Sequence, residues 1–249
     1  MQDTRLLENI RLVLCNPTHA GNIGAVARAM KTMGLSRLYL VNPSHFPDVD
    51  ATARACGGQD ILESAVVTET LDEALKGVNL IGGLTARQRS LSHPVMSLRD
   101  AAPRFVRQAE QDEVALIFGT EMSGLSNKEL EACHVLVHIP ANPVYSSLNL
   151  AAAVQVVAYE IAAGYFEIPH ASTPPLALFE DVERFYAHLE EVLIDIGFLS
   201  LDSPRKLMSR MRRLFARAGL EKEEVLMLRG MLKALSSNRK TVDIERSDD

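Results

Sequence analysis

Short apolar runs alternate with amphipathic segments over the first two thirds of this 249-residue chain. Strands that are separated by helices, and that form nearly continuous apolar runs, are typical of a parallel sheet covered on both faces. The alternation therefore predicts an α/β fold with a mostly parallel sheet. The predicted strands are Ile10–Asn16, Arg37–Asn42, Ala65–Thr68, Asn79–Leu84, Val114–Gly119 and His134–Ile139. The predicted helices between them are Ile23–Met33, Leu71–Lys76, Leu98–Glu110 and Lys128–Cys133.

A long apolar helix is predicted over Leu148–Phe166, after the last strand. The next segment, IPHASTPPLAL, contains three prolines, which neither a helix nor a strand accommodates easily. We therefore divide the chain into a domain at residues 1–168, a proline-rich linker at 169–177 and a small all-α extension at 178–249. Helical spacing predicts three helices in the extension, at Phe179–Ile196, Pro204–Ala218 and Lys222–Ser236.

The composition argues against several classes of protein. No apolar run approaches the roughly 20 residues that a bilayer span requires, so we expect no membrane partner. The three cysteines, Cys15, Cys56 and Cys133, are widely spaced, which is typical of free thiols in the reducing cytoplasm. Tryptophan is absent and aromatic residues make up 5% of the chain, which argues against an aromatic platform for single-stranded nucleic acid.

Charge is distributed unevenly along the chain, although its formal net value of −6 argues weakly against an RNA partner. The predicted helix Pro204–Ala218 contains no acidic residue. Its apolar stripe consists of Leu207, Met208, Met211, Leu214 and Phe215. The opposite side is predicted to carry Arg205, Lys206, Arg210, Arg212, Arg213 and Arg217. This basic face is either a solvated surface, partly neutralised by acids of the preceding helix, or a phosphate-binding surface.

The segment NPTHAGNIGAVARAM, residues 16–30, follows the first predicted strand. Asn22 is a natural N-cap for the helix that begins there, and Gly34 is a plausible residue to end it. Arg28 lies opposite the buried stripe, where it is either a simple surface charge or a functional group. The spacing G-x-G-x-x-G is absent, and so is a phosphate loop with its lysine, which argues against nicotinamide and nucleoside-triphosphate binding.

Two later segments also follow predicted strands. In ALIFGTEMSGLSNKEL, residues 115–130, Gly119 ends a strand and Glu121 stands just beyond it, at the sheet edge where α/β proteins bind ligands. Ser126 or Asn127 is expected to cap the next helix. In HIPANPVYSSLNLAAAVQVVAYE, residues 138–160, a polar cluster opens an apolar helix. The cluster, which exceeds what one helix cap requires, consists of Ser146, Ser147 and Asn149.

A metal site is not expected. His134 and His138 flank a valine-rich run that favours a strand, on which the two rings would lie about 13 Å apart. Two ligands at that separation cannot bind one ion.

The three segments, in this order, resemble the three motifs of the SPOUT superfamily of trefoil-knot methyltransferases. The chain most closely resembles the family that 2′-O-methylates cytidine or uridine at position 32 of the tRNA anticodon loop. The resemblance covers residues 8–166 and extends more loosely to ERFYAHLE and RRLFARA in the extension. It implies a deep trefoil knot at the C-terminal side of the sheet domain, S-adenosylmethionine as cofactor, tRNA as substrate and an obligate homodimer.

The resemblance also assigns roles to residues. It implies cofactor contacts from Leu84, Thr85, Ala86, Gly119, Ile139, Ser146, Ser147 and Leu148. It implies catalytic roles for Asn22, Arg28, Glu121, Ser147 and Asn149, with Arg28 reaching into the partner subunit's site. RNA contacts are expected from Arg28, Arg205, Lys206, Arg210, Arg213 and Arg217. The chain departs from the family at Thr120, where a basic residue is frequent, and at Leu84, where small hydroxyl residues are frequent.

Two other functions stay open. Ribosomal RNA is a possible substrate for the same chemistry, because sister families share all three motifs, although a helical extension on the C-terminal side favours tRNA. A binding protein that has kept the knot and lost catalysis is the other alternative. The candidate catalytic residues are all present in this chain, which argues against the second alternative.

Overall fold

The computed structural model describes residues 4–86, 94–167, 175–199 and 204–245. The chain divides into two compact units, residues 1–173 and 174–249. Most of the predicted linker at 169–177 lies outside the described residues. Among the described residues, no helix combines the length and apolar character that a membrane span requires.

The N-terminal unit contains a sheet whose described strand pairs are all parallel, as the alternation of apolar runs predicted. The strands are β1 (Ile10–Cys15), β2 (Arg37–Val41), β3 (Val66–Thr68), β4 (Val78–Leu84), β5 (Val95–Ser97), β6 (Glu113–Phe118) and β7 (Val135–His138). Their order across the sheet is β3-β2-β1-β6-β4-β7-β5. Sequence reasoning missed β5, because only one of its three residues (VMS) is β-branched, whereas all three residues of β3 (VVT) are. The fold class is confirmed, and the trefoil knot stays a prediction.

Helices surround this sheet. A 3₁₀ helix at Thr4–Asn9 precedes α1 (Ala20–Thr32), α2 (Val49–Ala55), α3 (Gln59–Glu63), α4 (Leu71–Ala74), α5 (Leu98–Ala109), α6 (Asn127–Glu131) and α7 (Leu150–Glu167). The sequence did not predict α2 and α3, which are short. The buried residues of α2 are Ala51 and Ala55, and alanine gives only a weak apolar signal. Helix α7 begins at Leu150 rather than at the predicted Leu148.

Apolar side chains from the strands and from α1, α5 and α7 form the core. The strands β1 and β6 lie side by side in the middle of the sheet, and every residue of β1 is buried. Helix α1 packs against α2 and α7, and α5 also packs against α7. The contact between α1 and α2 is very close, because a Cβ atom at Gly24 would lie 2.0 Å from the carbonyl oxygen of Ala51.

The C-terminal unit contains α8 (Phe179–Asp195), α9 (Pro204–Ala218) and α10 (Lys222–Glu245). The three predicted helices are confirmed, although α10 extends beyond the predicted end at Ser236 to Glu245, through a mostly polar segment whose two apolar residues are Val242 and Ile244. The rings of Phe185 and Phe215 pack edge to face with centroids 4.9 Å apart. One member of the predicted apolar stripe is wrong: Leu214 is 48% exposed, because Met208, Met211 and Phe215 already fill the contact with the core.

Gly24 and Gly230 form a matched pair for testing the α1–α2 contact. Alanine is the better helix former at both positions, by about 0.5–1 kcal/mol. At Gly230 the added methyl group meets nothing within 4 Å, whereas at Gly24 it meets the Ala51 backbone, which cannot rotate away. Overpacking of this kind typically costs about 1–3 kcal/mol. We therefore expect Gly24→Ala to lower the melting temperature in calorimetry, and Gly230→Ala to leave it unchanged or raise it slightly. Equal melting temperatures for the two variants would contradict the contact.

Candidate active site

Three loops meet at one edge of the sheet, because β6, β4 and β7 are adjacent and parallel and their carboxyl ends lie together. A cavity of about 190 Å³ lies between these loops. It is lined by Leu84, Thr85, Ala86, Phe118, Gly119, Thr120, Glu121, Met122, Ser123, Gly124, Leu125, Ile139, Ser146, Ser147, Leu148, Leu150 and Ala153.

All the residues that the family resemblance assigns to the cofactor lie in this lining, although they come from three distant parts of the chain. They are Leu84, Thr85, Ala86, Gly119, Ile139, Ser146, Ser147 and Leu148. Sequence reasoning did not single out several neighbours as lining residues, among them Met122, Ser123 and Leu125. Extending each motif by a few residues along its loop would have found them, because a loop that turns back on itself contributes consecutive residues.

Residues 119–124 form a tight turn that brings backbone close to backbone. A Cβ atom at Gly119 would lie 2.0 Å from the carbonyl carbon of Gly124, so only glycine fits there. Gly124 has a φ angle of 69°, and its N–H donates to the carbonyl oxygen of Thr120 at 3.0 Å. The hydroxyl groups of Thr120 and Ser123 are 2.7 Å apart. Thr120, which replaces the frequent basic residue, therefore closes this turn.

The Glu121 carboxylate lies at the start of α1 and accepts several hydrogen bonds there. The donors are the backbone N–H of Thr18 at 3.1 Å, its hydroxyl at 2.9 Å and the backbone N–H of His19 at 3.3 Å. The side-chain amide of Asn22 donates to Glu121 at 3.0 Å. The carboxylate thus accepts from the N–H groups of the N-cap residue and of the residue before it, and the helix dipole favours its negative charge at this position.

This environment keeps Glu121 ionised. Partial burial acts to raise its pKa, but hydrogen bonds from the Asn22 side chain, the Glu121 backbone and Thr18 outweigh that effect and lower the pKa from 4.5 to about 2. Glu121 is therefore a carboxylate at neutral pH. It is a hydrogen-bond acceptor that organises the loop and α1, and it is too acidic to be an effective proton acceptor.

Asn149 joins the third motif to the first. Its side-chain amide donates to the Asn22 side-chain oxygen at 3.1 Å, and its own oxygen accepts from the backbone N–H of Ala151 at 2.9 Å. Asn149 therefore caps α7, the role that sequence reasoning considered for a serine. The prediction that Asn22 caps α1 is wrong: the N-cap residue is His19, and the Asn22 side chain bridges Glu121 and Asn149.

The two serines of the third motif differ. The Ser146 hydroxyl donates to the carbonyl oxygen of Ala86 at 3.4 Å, which ties the loop after β7 to the loop after β4. Ser147 is exposed and makes no hydrogen bond within the described part of the chain. Its hydroxyl group is therefore available to a ligand in the cavity that it lines.

Arg28 lies apart from this cluster. It is exposed on α1, does not line the cavity of its own chain, and makes no hydrogen bond or ion pair with a described residue. The structure thus brings together Asn22, Glu121, Ser147 and Asn149 and leaves Arg28 outside.

Comparisons with known proteins identify this arrangement. A sequence model of the SpoU rRNA Methylase family matches residues 9–159, and one of the C-terminal domain of the tRNA methyltransferase TrmJ matches residues 180–246. The tRNA (cytidine/uridine-2′-O-)-methyltransferase TrmJ of Yersinia pestis is 48% identical over 242 residues, which cover 94% of each chain. The chain belongs to the TrmJ family of SpoU methylases.

Solved structures agree with this membership of the TrmJ family. The crystal structure of TrmJ from Z. mobilis ZM4 is 32% identical, with a TM-score of 0.79, and the match covers 91% of this chain and 98% of that one. A second structure, described as giving insight into the 2-OH methylation of C/U34 on tRNA, is 26% identical with a TM-score of 0.52. That match covers 64% of this chain and 97% of the other.

The two histidines near β7 contact different strands in this TrmJ family member. His134 Nδ1 accepts from the backbone N–H of Ile81 at 3.0 Å, and His138 Nδ1 lies 3.1 Å from the carbonyl oxygen of Met96. The strand predicted between them is confirmed as β7. Within the described ranges, no group of three or more His, Cys, Asp or Glu side chains is placed to hold a metal ion.

The basic face of α9 is only partly as predicted. Arg212 pairs with both carboxylate oxygens of Glu183, at 2.6 and 2.8 Å, and its guanidinium lies 4.5 Å from the centre of the Tyr186 ring. The prediction that Arg212 projects away from the core is therefore wrong, because α8 supplies it with a carboxylate and an aromatic ring. Arg210, Arg213 and Arg217 make no ion pair with a described residue. The side chains of Arg205 and Lys206 lie outside the described residues.

The hydrogen bonds to Glu121 predict how stability depends on pH. Because folding lowers the pKa of Glu121 from 4.5 to about 2, the ionised carboxylate stabilises the folded protein fully above about pH 5. This stabilisation is lost as the pH falls toward 2. Glu121→Gln removes this contribution, so the loss of unfolding free energy relative to the wild type should be largest at neutral pH and shrink below pH 4.5. Chemical denaturation at a series of pH values measures the difference.

The control for this prediction is Glu63→Gln. Glu63 is an exposed carboxylate of the same unit with no hydrogen-bond partner among the described residues. This variant should match the wild type at every pH. A difference between Glu121→Gln and the wild type that stays constant from pH 7 to pH 3.5 would contradict the lowered pKa.

Proposed function

We propose that this protein transfers the methyl group of S-adenosylmethionine to the ribose 2′-hydroxyl of cytidine or uridine at position 32 of the tRNA anticodon loop. The observation that carries the proposal is the cavity in which the loops after β4, β6 and β7 meet, the last two belonging to the second and third motifs. The first motif is joined to them by the hydrogen bonds of Asn22 with Glu121 and Asn149. Relatives 48% identical over most of the chain, named tRNA (cytidine/uridine-2′-O-)-methyltransferase, support the reaction and the substrate class. The match to the TrmJ C-terminal domain favours tRNA over ribosomal RNA.

The cavity residues fit a nucleoside cofactor. Leu125, Ile139 and Leu148 offer apolar surface for a flat base, and the Thr85 and Ser147 hydroxyl groups offer polar contacts. Gly119 keeps the wall open, since any side chain there would collide with the Gly124 backbone. When bound, S-adenosylmethionine supplies a methyl group that its sulfonium centre activates strongly.

The protein's own residues are then needed chiefly for positioning. Methyl transfer requires the 2′-hydroxyl to be held in line and its proton to be accepted late in the reaction. A guanidinium group is a poor proton acceptor, so Arg28 is suited to holding a phosphate and stabilising the developing alkoxide. Asn22 and Asn149 hold the loops in place through their hydrogen bond. The exposed Ser147 hydroxyl is free to contact the substrate or cofactor.

In a homodimer, Arg28 would contact the substrate that is bound to the partner subunit. Arg28 does not reach the cavity of its own chain, so a role in catalysis requires the cavity of a second subunit. Helix α7 supports this arrangement, because its Val154, Val157 and Ile161 side chains are buried while Tyr159, on another side, is 55% exposed. We propose that α7 lies in the dimer interface.

The C-terminal helices would bind the body of the tRNA. Arg210, Arg213 and Arg217 lie on one helix without acidic partners in the described residues, and phosphate groups are the natural partners of such a cluster. We assign this role to residues 178–249, with Arg205 and Lys206 as further members of the cluster.

Mass mapping of ribose methylation tests the proposal. The purified protein, S-adenosylmethionine and tRNA from a strain lacking the gene should yield one new methyl group at cytidine or uridine 32, with or without a metal chelator. Ribosomal RNA from the same strain is the parallel substrate. Methylation at position 34, or of ribosomal RNA alone, would overturn the assigned substrate, and absence of any methylation would overturn the reaction.

The basic cluster on α9 gives a prediction for affinity. The triple variant Arg210→Glu, Arg213→Glu, Arg217→Glu should weaken tRNA binding and reduce its dependence on salt, because fewer counterions are released. A matched Arg→Lys triple keeps the charges and should retain most of the affinity. Filter binding at several salt concentrations measures both, with cofactor affinity measured by calorimetry as the control. Unchanged tRNA affinity in the Glu triple would show that the cluster is only a solvated surface.

Arg28 gives a prediction that separates catalysis from folding. Because the side chain is exposed and makes no hydrogen bond or ion pair with a described residue, Arg28→Ala should change stability by no more than about 0.5 kcal/mol. Its methylation rate should fall on the order of 100- to 1000-fold. Arg28→Lys should restore only part of the rate, since lysine keeps the charge and lacks the planar group.

Mixing variants tests whether the site is shared between subunits. A heterodimer of Arg28→Ala and Ser147→Ala would place both defects in one site and leave the other intact, so activity should return after subunit exchange. Confirmed heterodimers without recovered activity would show that Arg28 does not act on the partner's site.

A further inference from the structure

Exposed apolar side chains lie on the two loops that follow β6 and β7 and line the cavity. Met122 is 88% exposed, Val144 91%, Tyr145 78% and Leu148 40%. We call these four residues the rim. Met122 and Leu148 also line the cavity, and Tyr145 adjoins the lining residue Ser146. Isolated exposed apolar residues are ordinary on protein surfaces, whereas a group around one opening indicates a binding surface.

The Tyr145 ring stands on an ordered turn. The backbone N–H of Val144 donates to the Asn142 side-chain oxygen at 2.9 Å, and the N–H of Tyr145 donates to the Asn142 carbonyl oxygen at 3.0 Å. A side-chain and a backbone hydrogen bond from one asparagine fix this kind of turn. The turn therefore fixes the backbone that carries the ring, and Tyr145 directly precedes the lining residue Ser146 in the sequence.

The charges of the two rim loops limit what they can bind. Residues 119–125 and 140–149 contain no lysine or arginine. Their one acidic residue, Glu121, already accepts hydrogen bonds from Thr18, His19 and Asn22. These loops therefore offer no side-chain cation to pair with a phosphate group. A flat, largely uncharged group suits them, and a nucleobase attached to a ribose at the cavity is such a group.

We propose, building on the function proposed above, that Tyr145 and Met122 hold the base of the target nucleotide while its ribose faces the cavity. Stacking on a tyrosine ring uses the face of the base and tolerates either pyrimidine, because cytosine and uracil differ at their edges. The methionine thioether is polarisable and adapts to an aromatic neighbour. One ring for one base differs from the extended aromatic platform that the composition argues against.

Substitutions at the rim test the contact. Tyr145→Ala should lower kcat/KM for tRNA by about 5- to 150-fold, the usual range for a lost base–aromatic stack. Tyr145→Phe should keep nearly full activity, and Tyr145→Leu and Met122→Ala should lose part of it. Cofactor affinity should not change in the Tyr145 variants, because Tyr145 does not line the cavity. Val49→Ala is the control, because Val49 is 86% exposed on α2, which contributes no residue to the cavity lining. Unchanged kcat/KM in Tyr145→Ala would overturn the proposal.

A substrate cycle makes the test specific. We compare the affinities of an anticodon stem-loop RNA with and without the base at the target nucleotide, for the wild type and Tyr145→Ala. Loss of the base should weaken binding to the wild type at least as much as Tyr145→Ala does, and adding Tyr145→Ala to the loss of the base should weaken binding no further. Additive losses would overturn the contact. The binding measurement needs no turnover, so it decides this proposal even if mass mapping were to overturn the proposed methylation.

Sedimentation tests whether a second copy of this chain, rather than a base, covers the rim. If the rim were an interface between two copies of this chain, Tyr145→Ala would change the oligomeric state, and that result would also overturn the proposal. We expect the same sedimentation coefficient for the wild type and every rim variant.

Discussion

The Glu121 carboxylate connects parts of the chain that are about a hundred residues apart. It accepts hydrogen bonds from Thr18, His19 and Asn22 at the start of α1, and Asn22 in turn accepts from Asn149 at the start of α7. One anion thus fixes the relative positions of two helix ends and of the loop after β6. The cavity has walls from two of these three segments, so its shape depends on this set of hydrogen bonds.

The cavity also depends on the order of the parallel strands in the sheet. Since β6, β4 and β7 are neighbours, three loops leave the sheet side by side, and the cavity forms where they meet. The glycines Gly119 and Gly124 let the middle loop fold back on itself without a side chain filling the space. Chemical groups for a methyl-transfer site are thereby gathered from distant segments without a metal cluster among the described residues.

Charge has different uses in the C-terminal unit. Arg212 is held by Glu183 and stacked on Tyr186, so it stabilises the contact between α8 and α9. Arg210, Arg213 and Arg217 have no such partners in the described residues and are available to an external anion. A negative net charge of −6 therefore coexists with a basic helix, because α9 itself contains no acidic residue.

The local sequence pattern was sufficient to predict those helices, strands and caps whose characteristic residues follow one another closely in the chain. The buried strands, α5, α8, α9 and the capping role of Ser126 follow from apolar periodicity and from the side-chain chemistry of caps. The motifs and their family resemblance indicated the residues that line the cavity. Only the tertiary structure decided which groups these side chains contact. Glu121, rather than Asn22, accepts the hydrogen bond from the N-cap residue of α1, and Arg212 turns toward α8. Leu214 faces solvent instead of the core. Each depends on a group brought near by folding, and sequence spacing carries no information about such distant neighbours.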